Sequence, residues 1–275
     1  MNKKGPLISV VTISFNQASF LEKCIQSVIS QSYNNYEYII VDPGSTDGSR
    51  EIIKKYKKYF AHVIFEKDNG PANGLNKGFK LAQGEILYFI NSDDFVAKDA
   101  FINAIGYFKK KNIDLFLGSG FLCDKYDNKI KYQIPTKFSV NDFIYNTAVV
   151  FQQGMFFKKD LFNKARGFNE NSICSWDGEL LLKMILNSKK IYISYHNFGF
   201  FRIYDESGTG SGNNHQNAKK DRLRIMTEYK KRSYNVIDEY IFSKIFLIAK
   251  FILNPIRTIY LIYLFFLNKI IAIKD

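Results

Sequence analysis

What most constrains the fold is the alternation, between residues 7 and 90, of short apolar β-type runs with helix-type segments. Leu7 to Phe15 (LISVVTISF) is mostly apolar and β-branched, the composition of a strand buried on both faces of a parallel sheet. A helix-type segment follows. In it Phe20, Leu21, Cys24, Ile25, Val28 and Ile29 recur on one stripe, and Ser19 and Glu22 have capping-box spacing. Tyr36 to Val41 reads as a second strand, Asp42 to Gly48 as a breaking loop, and Ile52, Ile53, Tyr56 and Tyr59 as the stripe of a second helix. Val63 to Glu66, Asn73 to Gln83 and Glu85 to Ile90 continue as strand, helix and strand, and the last runs into Asn91-Ser92-Asp93-Asp94. Such an order predicts right-handed crossovers and an open α/β sheet.

At 275 residues and 46% hydrophobic content the chain can bury one large core or one core with a small appendage. Beyond residue 112 the pattern loosens. Asp114 to Leu117 and Lys129 to Ile134 are the best strand segments, with helices expected at about 139 to 146 and over Asp177 to Ser188. Residues 205 to 217 (DESGTGSGNNHQN) have the composition of a mobile surface loop. Lys219 to Arg232 holds seven basic and two acidic residues, and an apolar, aromatic segment runs from Ile241 to Ile273. The expected organisation is therefore a domain over 1–218, with a regular half to about 112 and a less regular half from about 113, followed by a basic and apolar helical tail over 219–275.

A formal charge of +13 calls for nucleic acid, an anionic lipid surface or a polyphosphate ligand. No helix-turn-helix, zinc-finger or RNP-like pattern accompanies it, which excludes nucleic acid from the expected partners. Cys24, Cys123 and Cys174 form neither a disulfide framework nor a zinc pattern, and Met1 to Pro6 carries no apolar leader, so a reducing, cytoplasmic setting is expected.

In open α/β sheets ligands bind beyond the carboxyl ends of the strands, where side chains project into a crevice the helices leave open. Two acidic loops stand there: Asp42 after the second strand and Asp93-Asp94 after the fourth. Either alone reads equally well as a turn former or helix cap, and the two together point to a polar ligand site.

SVVTISFN, SQSYNNYEYIIVDPGSTDGS and DNGPANGLNKGFKLAQGEILYFINSDD, in that order, resemble the family 2 glycosyltransferases of the GT-A fold, and QQGMFFKKDLFNKARGFNE with SWDGELLLKM resembles their acceptor-side segment. The resemblance implies a Rossmann-like open mixed sheet flanked by helices, and inverting sugar transfer from a nucleotide-diphosphate sugar. It implies a donor half to about residue 112 and an acceptor half from about 113, that Asp94, in the family's acidic motif, binds Mn²⁺ or Mg²⁺, and that Asp93 sits near the ribose or an outer-shell water. Asp42 would face the base or ribose, and Ile13, Ser14 and Phe15 would floor the base pocket. Pro43 stands where the family often has a second acid, so no particular base is implied. Asp68, Asn73, Asn76 and Lys77 would approach the donor sugar and pyrophosphate, although Lys77 also fits an exposed helix face. Asp177 would be the general base, with Trp176 as a platform for the acceptor sugar and Glu179 as the runner-up base. Arg202 would lead a loop closing over the diphosphate; Tyr204 replaces a histidine common in the family, with His215 as a substitute.

Pro255 and scattered basic residues divide the apolar segment, so neither half has the ~20 uninterrupted apolar residues of a spanning helix. Two helices lying in the interface of the inner membrane leaflet are expected, with packing on the domain or on a second copy of the chain as the alternative. The expected acceptor is then a glycan, lipid-linked, used in surface polysaccharide synthesis. The competing functions are a catalytically inactive nucleotide-binding module, suggested by Pro43 and Tyr204, and a nucleotidyltransferase. The second would need a Gly-rich phosphate loop where SFNQASF stands.

Overall fold

The computed structural model describes residues 5–136, 139–145, 147–208 and 215–231, with isolated positions 241, 244, 245 and 248. The first half is a βα alternation: β1 (Ile8–Ile13), α1 (Ala18–Ile29), β2 (Tyr36–Val41), α2 (Ser49–Lys55), β3 (His62–Ile64), α3 (Pro71–Leu81) and β4 (Ile86–Asn91). These four strands are parallel, with β1 between β2 and β4. Side chains alternate across the sheet. Leu87 and Phe89 of β4 face a core shared with α3, while Ile86, Tyr88 and Ile90 face a second core shared with α1. Both faces are covered, which is why the strand runs are continuously apolar.

α3 approaches β1 closely because it carries glycines on its inner face. A Cβ on Gly78 would lie 2.5 Å from the Val11 side chain. α1 starts differently from the capping-box expectation: Ser19 lies within the first turn and Gln17 is the N-cap, with no side-chain cap of its own. Its free N-terminal amide is met from the next loop, since Ala18 N–H donates to Asp47 Oδ2 at 2.8 Å. The helix end is thereby tied to the loop after β2.

The second half extends the sheet through β5 (Phe95–Val96), α4 (Ala100–Lys111), β6 (Leu115–Cys123), β7 (Lys129–Gln133), α5 (Val140–Ile144), β8 (Met155–Lys158), α6 (Lys159–Lys164), α7 (Trp176–Asn187), β9 (Ile191–Arg202) and α8 (His215–Lys230). The order is β3-β2-β1-β4-β8-β6-β9-β5, with β7 also paired to β6. β8 runs antiparallel to both β4 and β6, which makes the sheet mixed. β9 lies parallel to β6 and brings residues 199–202 beside the acidic loop after β4.

The expected division after residue 218 falls inside α8. Asp221, Ile225 and Met226 of that helix are buried, the two apolar residues in the same core as α3, α7 and β4. Lys219, Lys220 and Lys230 of this helix are exposed, whereas Arg224 turns inward to buried Glu179, so the helix belongs to the domain. The expected apolar tail lies outside the described residues, apart from Ile241, Ile245 and Ile248, which are exposed. Among the described residues no helix is long and apolar enough to cross a membrane.

Candidate active site

A cavity of about 670 Å³ opens beyond the carboxyl ends of the parallel strands, lined by Ile13, Ser14, Phe15, Pro43, Gly44 and Asp68 among others. Phe15 is 59% exposed at its mouth, so a large aromatic face is presented to whatever enters. Three polar atoms at the ends of β1, β2 and β4, the Ser14 hydroxyl, Asp42 Oδ2 and Asn91 Oδ1, are buried with no hydrogen-bond partner. Ser14 and Asn91 line the cavity, and Asp42 precedes the lining residues Pro43 and Gly44. A buried polar atom left unpaired costs roughly 1–3 kcal/mol, and a polar ligand in the cavity would offset that cost at the lining residues Ser14 and Asn91.

The other oxygen of Asp42 is fully used. Its Oδ1 accepts from the backbone N–H of Gly44 and Ser45 and from Arg50 Nε, at 3.1, 2.8 and 3.0 Å. Arg50 also lies over the Phe65 ring. Arg50 is a site residue that the sequence marks only as an arginine eight residues after a strand-end acid.

The two acids after β4 point in opposite directions. Asp94 is fully buried and lines neither this cavity nor the adjoining one. Its Oδ1 accepts from Arg202 N–H at 2.8 Å and its Oδ2 from Gln153 Nε2 at 2.7 Å. The expected metal ligand is thus an internal strut between β9 and the 3-10 turn Gln152–Gly154. Burial, then the charge of Asp93, pushes its carboxyl well above the ordinary range. Asp93 lines both cavities, accepts from the Tyr204 phenol at 3.1 Å, and is also raised by burial.

The second cavity, about 290 Å³, is bounded by Asp93, Gln152, Gln153, Cys174, Trp176 and Asp177 among others. Trp176 belongs to both cavities and packs its ring against Phe89 and Phe168, which fixes the indole as a wall. Asp177, in the first turn of α7, accepts from Gly178 N–H at 2.7 Å, and burial raises its carboxyl above the ordinary value. Gln152 donates to the Phe89 carbonyl at 2.6 Å. The two glutamines open the segment QQGMFFKK, where no residue pattern singles them out.

Several expected site residues are elsewhere. Glu179 is buried away from both cavities and bound by Asn169, Lys183 and Arg224. Burial works to raise its carboxyl, and these donors outweigh it and hold it below the ordinary value. Asn76 bridges to the backbone of Phe168 and to Glu170, and Asn73 also donates to Glu170, so both fasten α3 to that loop. Lys77 reaches back to the Lys67 carbonyl and Glu66. Arg202 is buried, bound to the Asp93 carbonyl and to Asp127, with Phe20 and Phe95 against its guanidinium. Thr209 and the His215 side chain lie outside what is described.

The family profile described as "Glycosyl transferase family 2" matches residues 9–173, more than half of the chain. The chain belongs to glycosyl transferase family 2. It is 41% identical over 102 residues to the putative teichuronic acid biosynthesis glycosyltransferase TuaG of Bacillus subtilis, covering 36% of this chain. Of two such relatives the chain spans 54% and 40% of their own length. Among solved structures it resembles S. aureus TarS in complex with UDP-GlcNAc, with a TM-score of 0.65 at 16% identity, covering 83% of this chain and 67% of that one. It also resembles the Pyrobaculum calidifontis mannosyltransferase PcManGT in complex with GDP-Man and Mn²⁺, with a TM-score of 0.61 at 16% identity, covering 86% and 67%. These likenesses establish the GT-A fold.

Whether a family 2 chain with these side chains fits a divalent cation can be tested on its donor set. Among the described residues no group of three His, Cys, Asp or Glu converges. Asp93 and Asn91, whose Oδ1 is buried and unpaired, nevertheless both line the two cavities. One carboxylate with an amide oxygen suits Mg²⁺ or Mn²⁺, which take their remaining ligands from water and phosphate. The residues present therefore fit a divalent cation at Asp93 and Asn91 better than at Asp94.

Proposed function

We propose that this family 2 chain transfers a sugar from a nucleotide-diphosphate sugar to a hydroxyl of a glycan acceptor, with inversion. The observation that carries the reading is the trio of unpaired buried polar atoms at the ends of β1, β2 and β4, beneath a cavity large enough for a nucleotide. The base would lie between Phe15 and Pro43-Gly44, the ribose near Ser14 and Asp42, and the diphosphate toward Asp93. A cation held by Asp93 and Asn91 would neutralise charge on the departing diphosphate.

The sugar would then reach the second cavity, with Trp176 as its platform. Asp177 would take the proton of the acceptor hydroxyl as that oxygen bonds to the anomeric carbon and the bond to the diphosphate oxygen breaks. A carboxyl raised above its ordinary value is a stronger base, and a hydroxyl becomes acidic only in the transition state. A single base facing the acceptor suits one displacement, hence inversion.

TuaG, named for teichuronic acid biosynthesis, supports surface polysaccharide as the acceptor class, and the UDP-GlcNAc bound by TarS supports a nucleotide sugar as donor. A lipid-linked acceptor at the inner leaflet is consistent with the charge of +13 and with exposed Ile241, Ile245 and Ile248. The reading is tested by thermal stabilisation with a panel of UDP-, GDP- and dTDP-sugars, with and without Mn²⁺. At least one donor should raise the melting temperature, more so with the metal; a panel with no effect would contradict it.

A further inference from the structure

α8 contributes a carboxylate where the fold alone does not require one. Asp221 is 1% exposed and aims at the loop immediately before α7. Its oxygens accept from the backbone N–H groups of Ile173, Cys174 and Ser175, each at 3.0 Å, and from the Ser172 hydroxyl at 3.2 Å. Burial works to raise this carboxyl, but the convergent amides outweigh it and hold it below the ordinary value. One turn further along the helix, Arg224 binds Glu179 in the first turn of α7. Asp177 and Trp176 lie between these two points of attachment, and Ile173 and Cys174 line the second cavity themselves. The family match ends at residue 173, so neither Asp221 nor Arg224 falls within it.

We propose that Asp221 is a positioning residue for transfer: it fixes the backbone of 172–175 and so sets Asp177 and Trp176 over the second cavity. The proposal rests on the function proposed above. The physical basis is that a charged acceptor gathering consecutive amides leaves the loop one conformation, whereas a neutral amide must turn donors toward donors. Displacement of about 1 Å at a reacting group costs up to about a hundredfold in rate.

Trp176 is the only tryptophan of the chain, so its emission reports on this loop without labelling. The full chain would be compared with Asp221→Asn and Asp221→Glu. The second variant keeps the charge but carries it one methylene further, and decides the matter if the first does not fold. The expected result is a changed Trp176 emission spectrum, a fall of roughly 10- to 100-fold in kcat for transfer, and a donor KM within about twofold of the parent. Adding Asp221→Asn or Asp221→Glu to Asp177→Asn should lower residual transfer no further, because the carboxylate would act through Asp177. Parental kcat and emission in a folded variant would overturn the proposal, as would additive loss in the double variant. If Asp177→Asn itself transferred at the parental rate, the base assignment would fail, while the emission change would still report whether Asp221 sets the loop.

Discussion

Replacing Asp94 by alanine should damage the fold, while the same change at Asp93 should damage only function. Asp94→Ala strands two buried donors, the Arg202 N–H and the Gln153 side-chain amide. Each orphaned buried group costs about 1–3 kcal/mol. Burial and the charge of Asp93 already disfavour the ionised carboxyl, so removing it offsets part of that, leaving a net loss of about 2–4 kcal/mol. For a chain of this size that is a fall in melting temperature of very roughly 4–16 °C. Asp93→Ala forfeits one exchangeable contact from Tyr204, about 1 kcal/mol, and removes the carboxylate that faces both cavities. Thermal unfolding followed by far-UV circular dichroism, beside transfer rates with and without Mn²⁺, separates the two. If Asp94→Ala melted within 2 °C of the parent and lost only its metal response, the assignment of the two acids would be reversed.

A chain ending at 218 should fail to fold, since it loses Ile225 and Met226 from the core at ~1.5–3 kcal/mol each, together with Asp221, whereas one ending at 231 should keep its circular dichroism spectrum. The chain ending at 231 should also lose sedimentation with anionic liposomes that the full chain shows; equal sedimentation would remove the membrane role of residues 232–275. Asp221 and Glu179 have lowered folded-state values, so they contribute stability that is full above the ordinary carboxylate range and is lost as pH falls below it through the lowered values; urea midpoints between pH 6 and pH 3 should drop less in Asp221→Asn than in the parent. Asp177 is shifted the other way, and a base must be ionised, so the acid limb of the kcat profile should lie above the usual carboxylate value near ~4.

The first half was legible because its strands are buried on both faces and its helices carry one stripe each, so period and order alone reproduce β1 to β4. The second half was not. β8 and β9 make their pairings with β4 and β6 across long sequence separations, and no local pattern encodes which strand inserts between which. The site was legible at the level of loops and less so of atoms. Asp42, Asp68, Asp93, Trp176 and Asp177 lie in or beside the cavities, but adjacent residues of one motif, Asp93 and Asp94, part company because β9 passes on one side of the turn. Asn76 and Arg202 match family positions, yet their partners here are backbone carbonyls, amides and carboxylates of neighbouring loops. α8 was read as a basic arm since its charges outnumber its few core contacts, and two buried apolar residues with one buried acid outweigh them.

The central claim, that Asp177 acts as base on a sugar delivered by a nucleotide bound at the strand ends, is tested most directly by one comparison. Quench of Trp176 emission would give donor affinity, and product formation from a labelled nucleotide sugar would give single-turnover transfer, for the parent and for Asp177→Asn. The account predicts donor affinity within about twofold and transfer slower by ~10²–10⁴. Transfer at the parental rate, or loss of donor affinity with turnover unchanged, would contradict it.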